Sequence, residues 1–258
     1  MANIHPTALV SKKASIADDV TIAPNAIIED DVVIGSGCEI GPNAVIYNGA
    51  RLGNRVKIKQ GASVANVPQD LKFNNEESVF KIGDDTVIRE FVTLHRGTKE
   101  TGKSEIGKNC LLMAYTHVAH DCYVGDNCII ANGVQIAGHS YIEQEVTIGG
   151  LVGVHQFSRI GRNAMVGAVM MISQDVPPYI LTADNPAHYH GLNVIGLKRR
   201  GFTPEDISLL KKAYEIIYSK SYNVSQAKQK IKDDLPPNKH LTHLLDFLGK
   251  SNRGIVGK

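Results

Sequence analysis

The chain has 258 residues, 43% of them hydrophobic and none of them Trp, with 28 Lys and Arg against 26 Asp and Glu and a formal net charge of +2. So even a balance gives no ground for a nucleic-acid partner, and no apolar run is long enough to span a membrane. With no signal-peptide pattern at its start, the sequence fits a soluble cytoplasmic protein, one elongated domain plus a small appendage.

From Ile4 to Ile172 an Ile, Leu or Val recurs every sixth residue in one phase, filling 26 of 29 slots. Asp70, Glu76 and Glu100 occupy the other three. Helices repeat near 3.6 and strands at 2, so a period of six needs a chain that makes a short strand, turns and repeats. Gly or Ala often follows the aliphatic, and Asn, Asp or Pro follow that, as turn formers should. The fifth slot is small or β-branched, and it holds all four cysteines, Cys38, Cys110, Cys122 and Cys128. Their place in the repeat predicts half-buried corner fillers, and no spacing suits a zinc knuckle. This is the hexapeptide repeat of a parallel β-helix, three hexads to a triangular coil. Coils should stack at about 4.8 Å, the spacing of paired strands.

Two excursions interrupt the repeat without losing its phase, at about 69–81 and 99–105. The β-helix domain is assigned to 1–190. The repeat ends at Asp175-Val-Pro-Pro-Tyr179, and a polar connector runs to about Gly191. An α-helical domain over 191–258 follows. Thr203 is its first N-cap, Pro204 takes the first helical position and acids fill the first turn. Ile207, Leu210, Tyr214 and Ile217 have helical spacing, and further helices start near Ser225 and Asn238. These helices should cover the open edge of the last coil. Residues 191–258 carry 13 basic and 6 acidic side chains, net +7, which leaves −5 for the remainder. A basic end suits an acidic partner.

Counting hexads in threes puts Val64, Leu94, Val118, Ile136, Val154 and Ile172 on one face. His95, His117, His120, His139 and His155 lie along that face, in outward or corner slots. Such a strip can bind a metal or supply a base near neutral pH. Asp70, Lys72, Asp121 and Gln156 accompany it. Gly138 falls one coil above His120, where a glycine lets a backbone N–H approach a reacting carbonyl. A base with an oxyanion donor points to acyl transfer.

Several segments are specific: Thr93-Leu-His-Arg-Gly-Thr98, His117-Val-Ala-His-Asp-Cys122, Val154-His-Gln-Phe157, Gln174-Asp-Val-Pro-Pro-Tyr179, Gly196-Leu-Lys-Arg-Arg-Gly-Phe202 and Pro68-Gln-Asp-Leu-Lys72. On these the chain resembles the UDP-N-acetylglucosamine O-acyltransferases that open lipid A biosynthesis, over nearly its whole length. The resemblance implies left-handed coils and a homotrimer with active sites between subunits. The implied donor is an (R)-3-hydroxyacyl group on acyl carrier protein, and the acceptor is the glucosamine 3-hydroxyl of UDP-N-acetylglucosamine. It implies no metal and no dissociable cofactor.

By the same resemblance His120 is the general base, Asp121 orients it, and the Gly138 N–H faces the oxyanion. Gln69, Asp70 and Lys72 meet the sugar and pyrophosphate. His95, His117, His139 and Gln156 line the sugar and pantetheine pocket, with His155 near the acyl chain. Asn193, Arg199 and Arg200 take the nucleotide and phosphate end, where a guanidinium fork suits phosphate oxygens. Ala168 stands where long-chain members often have Gly, so it is expected to limit acyl length. Transfer to a 3-amino UDP-sugar, a zinc lyase of the γ-carbonic anhydrase type and a noncatalytic scaffold are the competing readings.

Overall fold

A computed structural model describes residues 2–257. They form a left-handed parallel β-helix of about ten turns with a few helices after it. Three parallel sheets make the walls. The 11-stranded sheet begins at Asn3–Ile4, the nine-stranded sheet runs from Leu9–Val10 to Met171–Ile172, and the eight-stranded sheet runs from Ser15–Ile16 to Arg159–Ile160. Most strands are two residues long, one side chain outward and one inward. The repeated aliphatics are the inward ones. From Ile22 to Ile172 they are nearly all fully buried in a single column. Each contributes roughly 1.5–3 kcal/mol by leaving water.

In most hexads from Asn25 onward one corner residue sits in the left-handed region, as in Asn25, Asn43, Asn109, Asn127 and Asn163. Asn and Asp tolerate that conformation, which explains the turn formers of the repeat. The fifth-slot residues are more enclosed than the half-burial expected of them. Cys38, Cys110, Cys122 and Cys128 are at most 2% exposed. Each thiol points to a carbonyl one coil on, such as Gly125 O at 3.2 Å from Cys110 Sγ.

The excursions lie slightly earlier than their sequence placement at 69–81 and 99–105. Val79–Ile82 and Lys103–Ile106 are strands paired to each other, so the loops are residues 67–78 and 96–102. Pairing between neighbouring coils recruits residues outside the aliphatic slots, which the period of six does not mark. Arg96 fastens the first loop, donating to Asn48 O at 2.8 Å with its guanidinium over Phe73. Glu76 joins the loops by accepting from Lys99 N–H at 3.0 Å.

The expected polar connector is largely structured. Ile180–Ala183 and His188–Leu192 form an antiparallel hairpin on the 11-stranded sheet, so a strand crosses position 190. It covers the last coil's edge, a job expected of the helices alone. A short helix missing from the sequence reading, α1 (Val194–Arg199), follows. Then come α2 (Pro204–Ile217), α3 (Val224–Asp234) and α4 (Lys239–Lys250). Thr203 caps α2 with a reciprocal Asp206 contact, and Asn223 and Asn238 cap the other two. Leu210, Ala213, Tyr214 and Ile217 form the buried face of α2. His243 on α4 reaches back to Glu143 of the coil at 2.7 Å, tying the helices to the solenoid.

Candidate active site

The nine-stranded sheet stacks its outward residues in the order Thr93, His117, Gln135, Gly153 and Met171. At the adjoining corner the 18-residue coil repeat stacks His120, Gly138 and Gln156, and beside them Asp121, His139 and Phe157. Both columns border a cleft of about 470 Å³, lined by Gln69, His95, His117, His120, Gly138, Gly153, His155, Gln156 and Met171 among others.

His120, on the cleft wall, pairs with Asp121 behind it. His120 Nδ1 lies 2.7 Å from Asp121 Oδ2. The Asp121 side chain is fully buried, while 15% of the His120 side chain remains exposed to the cleft. The second loop encloses the carboxylate. Thr98 donates its N–H at 3.0 Å and its hydroxyl at 2.8 Å, and the Thr101 hydroxyl donates as well. Burial opposes the charge on Asp121, but the bonds from Thr101, His120 and Thr98 outweigh it and hold the carboxyl below its usual range. Asp121 and His139 both take the left-handed corner conformation, with φ of 58° and 60°. Both are types that accept it more readily than most.

Gly138 is required by the His120 ring. A Cβ there would lie 2.8 Å from Cε1 and 2.9 Å from Nε2. The third-slot N–H of Gly138 has no acceptor among the described hydrogen bonds, so it is open to a ligand. His139 stacks on Phe157 at 4.6 Å and meets His120 edge-on at 5.1 Å.

The other expected residues are placed as follows. His95 is only 4% exposed because the first loop covers it, and its Nδ1 meets Val67 O. It is therefore neither an open surface residue nor part of the coil interior. Burial lowers its pKa. His117 pairs with Thr93 Oγ1 at 2.8 Å. Burial, then the nearby His95 and His120, push His117 down to about 4. His155 and Gln156 are exposed on the rim. Asp70 caps its own turn, accepting from Lys72 N–H at 3.0 Å. Of the first-loop trio, Gln69 lines the cleft and Asp70 and Lys72 do not.

Asn193, Arg199 and Arg200 lie elsewhere. They line a second cleft of about 890 Å³ on the 11-stranded sheet, with Ile129, Thr147 and Met165. Asn193 also caps α1, and Arg200 sits 3.8 Å from Glu145. Ala168 is in an exposed turn and lines neither cleft. Of the nearby methionines, Met170 is core, Met165 faces the second cleft and Met171 faces the first.

Sequence reasoning missed Thr98, Thr101, Phe157 and Gln135. Gln135 could have been found by adding 18 to His117. Thr98 and Thr101 lie on a loop outside the repeat, where no periodicity places them.

As to metals, His120, Asp121 and His139 are a group whose ligand atoms all lie within 4.8 Å of one another. Two imidazoles and one carboxylate differ from the three histidines of a γ-carbonic anhydrase.

The coil and its corner histidines define a transferase of the hexapeptide-repeat class, and the bacterial hexapeptide transferase model matches at 13–48, 31–66 and 103–138. The model for domain 2 of UDP-N-acetylglucosamine O-acyltransferase matches residues 175–256. A Thiobacillus denitrificans acyl-[acyl-carrier-protein]–UDP-N-acetylglucosamine O-acyltransferase is 44% identical over 257 residues, covering 99% of this chain and all of the relative. The namesake from Paraburkholderia phymatum is 42% identical over 261 residues, with the same coverage. The crystal structure of the Bacteroides fragilis UDP-N-acetylglucosamine acyltransferase superposes with a TM-score of 0.96 at 42% identity, covering 98% of this chain and 99% of that one. The chain belongs to the family of acyl-[acyl-carrier-protein]–UDP-N-acetylglucosamine O-acyltransferases.

Proposed function

We propose that the chain transfers a 3-hydroxyacyl group from acyl carrier protein to the glucosamine 3-hydroxyl of UDP-N-acetylglucosamine, the first step of lipid A biosynthesis, with His120 as the base. The observation that carries the chemistry is the His120–Asp121 pair, 2.7 Å apart at the wall of a cleft. With Nδ1–H directed at the buried carboxylate, the Nε2 lone pair is left for the acceptor hydroxyl. Nε2 takes the hydroxyl proton as the oxygen attacks the thioester carbonyl. Asp121 stabilises the imidazolium that forms. The tetrahedral oxyanion lies against the Gly138 N–H, and its collapse expels the pantetheine thiolate, which recovers the proton. A positioned base contributes ~10²–10⁴-fold. No resident metal or cofactor enters this scheme.

The two clefts lie on different sheets of one chain. We therefore read the active unit as a homotrimer in which a neighbour brings Asn193, Arg199 and Arg200 to the histidine cleft. The net charge of +7 on residues 191–258 supports a docking end for an acidic carrier protein. None of the described helices is long and apolar enough to cross a membrane. Such soluble substrates fit a cytoplasmic site of action.

The test is transfer from a ladder of 3-hydroxyacyl carrier proteins to UDP-N-acetylglucosamine, by wild type and by His120→Ala. Product from wild type, reduced ~10²-fold or more in the variant, is the expected outcome. Equal rates would remove His120 as the base. No product at any length, with product on a 3-amino acceptor, would change the acceptor assignment.

A further inference from the structure

We propose that His120, Asp121 and His139, with Glu100 as an exposed fourth arm, bind a divalent transition cation of the zinc type, and that its occupancy switches the transferase off. The site part stands on geometry alone, whereas the switch rests on the functional reading above.

The ligand atoms converge. Asp121 Oδ2 is 2.7 Å from His120 Nδ1 and 3.8 Å from His139 Nε2, and all three atoms lie within 4.8 Å of one another. Nitrogen and oxygen ligands at about 2.0–2.2 Å from tetrahedral zinc stand roughly 3.3 Å apart. Moving the two Asp121 contacts to that separation takes about half an ångström each, within side-chain rotation. Glu100 Oε2 is 3.6 Å from His139 Nε2, and its side chain is 64% exposed, so it can swing in as a fourth ligand.

The surroundings support the ligands as a metal site requires. Thr98 and Thr101 hold the carboxylate from behind, the outer-shell arrangement that fixes a ligating oxygen. The His139 N–H donates to His120 O at 3.1 Å, so the two imidazoles stand on cross-tied turns. Two imidazoles with carboxylates favour zinc, cobalt or nickel over calcium and magnesium, which take oxygen ligands.

Occupancy has a specific consequence. A neutral imidazole carries one proton and one free lone pair. During transfer the proton is on Nδ1, facing Asp121, and the lone pair is on Nε2. A cation on Nδ1 uses the lone pair there and leaves the proton on Nε2. His120 then cannot accept the acceptor's proton, although nothing need block the cleft.

Co2+ titration of the metal-free full-length protein tests the site without an activity assay. Expected are one Co2+ per chain, the visible absorption of a tetrahedral nitrogen–oxygen site, and displacement by Zn2+. His139→Asn, chosen because Asn tolerates the left-handed corner, should weaken binding roughly tenfold or more. His120→Ala should do the same. Absence of stoichiometric uptake, or equal binding by His139→Asn, overturns the site. In the transfer assay Zn2+ should inhibit and a chelator should restore the rate. Glu100→Gln should need several-fold more Zn2+ for equal inhibition, and an unchanged requirement removes Glu100. Co2+ bound with transfer undiminished overturns the switch. If metal-free protein transfers nothing, the functional reading fails while the titration still decides the site.

Discussion

Thr98 grips Asp121 twice, with its backbone N–H on Oδ1 at 3.0 Å and its hydroxyl on Oδ2 at 2.8 Å. The same Oδ2 receives His120 Nδ1, so the loop threonine fixes the oxygen that orients the His120 ring. Thr98→Val keeps the shape and the N–H but removes the hydroxyl. We expect kcat to fall roughly tenfold, as for loss of one hydrogen bond to a charged group, with KM little changed. Because these bonds hold the Asp121 carboxyl below its usual range, losing one should move the acid limb of the kcat–pH profile to higher pH. Thr98→Ser should restore both. An unmoved profile, or no rescue by Ser, would leave Thr98 a purely structural residue.

Gly138→Ala tests the room needed by the His120 ring. The added methyl would lie 2.8 Å from His120 Cε1, so the ring has to turn away from it. The φ of Gly138 is outside the left-handed region, so the backbone accepts Ala. Expected is a loss of kcat of roughly 10²-fold, the scale of a misplaced catalytic group, with a thermal midpoint within a few degrees of wild type. Full activity would show that the ring position is not critical.

These two residues differ in how far the sequence exposed them. Gly138 was legible because the coil repeat is 18 residues and His120 lies one coil below. The same counting put five histidines on one face and named the inward column. It fails where the chain leaves the repeat. Thr98 and Thr101 act from a loop, and His95 is buried by a loop whose course no period encodes. The hairpin at 180–192 escaped for a related reason. Its pairing closes an edge, so its outward polar residues, such as His188 and His190, resemble a connector. The helix caps at Thr203, Asn223 and Asn238 are local chemistry, and the sequence showed their places to within a residue or two.

His117 makes stability depend on pH. Burial first, then the neighbouring His95 and His120, push it down to about 4, and burial also lowers His95. In the unfolded chain a histidine titrates near 6.5. Between those values the unfolded state binds more protons, so stability is retained above about 6.5 and lost as pH falls toward 4. The urea midpoint should drop from pH 7 to pH 5, and His117→Gln should flatten part of that drop. Identical pH slopes for the two proteins would show that His117 is not so buried in solution.

Ala168 addresses chain length. It lies in an exposed turn outside both clefts of one chain, so a limit on acyl length there would act on a chain running beyond the histidine cleft. Across a ladder of acyl carrier proteins, Ala168→Gly should shift the preferred donor to a longer acyl chain and leave the rate on the wild-type donor within a few-fold. An unchanged length profile would remove Ala168 from that role.

The separation of His120 from Arg199 and Arg200 gives a test of assembly. In one chain they line different clefts on different sheets. If a neighbour supplies the arginines, His120→Ala and Arg199→Ala/Arg200→Ala chains are each inactive alone but complement each other. In a randomly mixed cyclic trimer an intact site needs His120 from one chain and both arginines from the next. At equal mixing about a quarter of sites meet that condition. Refolding the two variants together should therefore restore about a quarter of the wild-type rate, and mixing without subunit exchange should restore none. No recovery after co-refolding, in trimers shown to contain both chains, would mean that the arginines serve the cleft of their own chain or none.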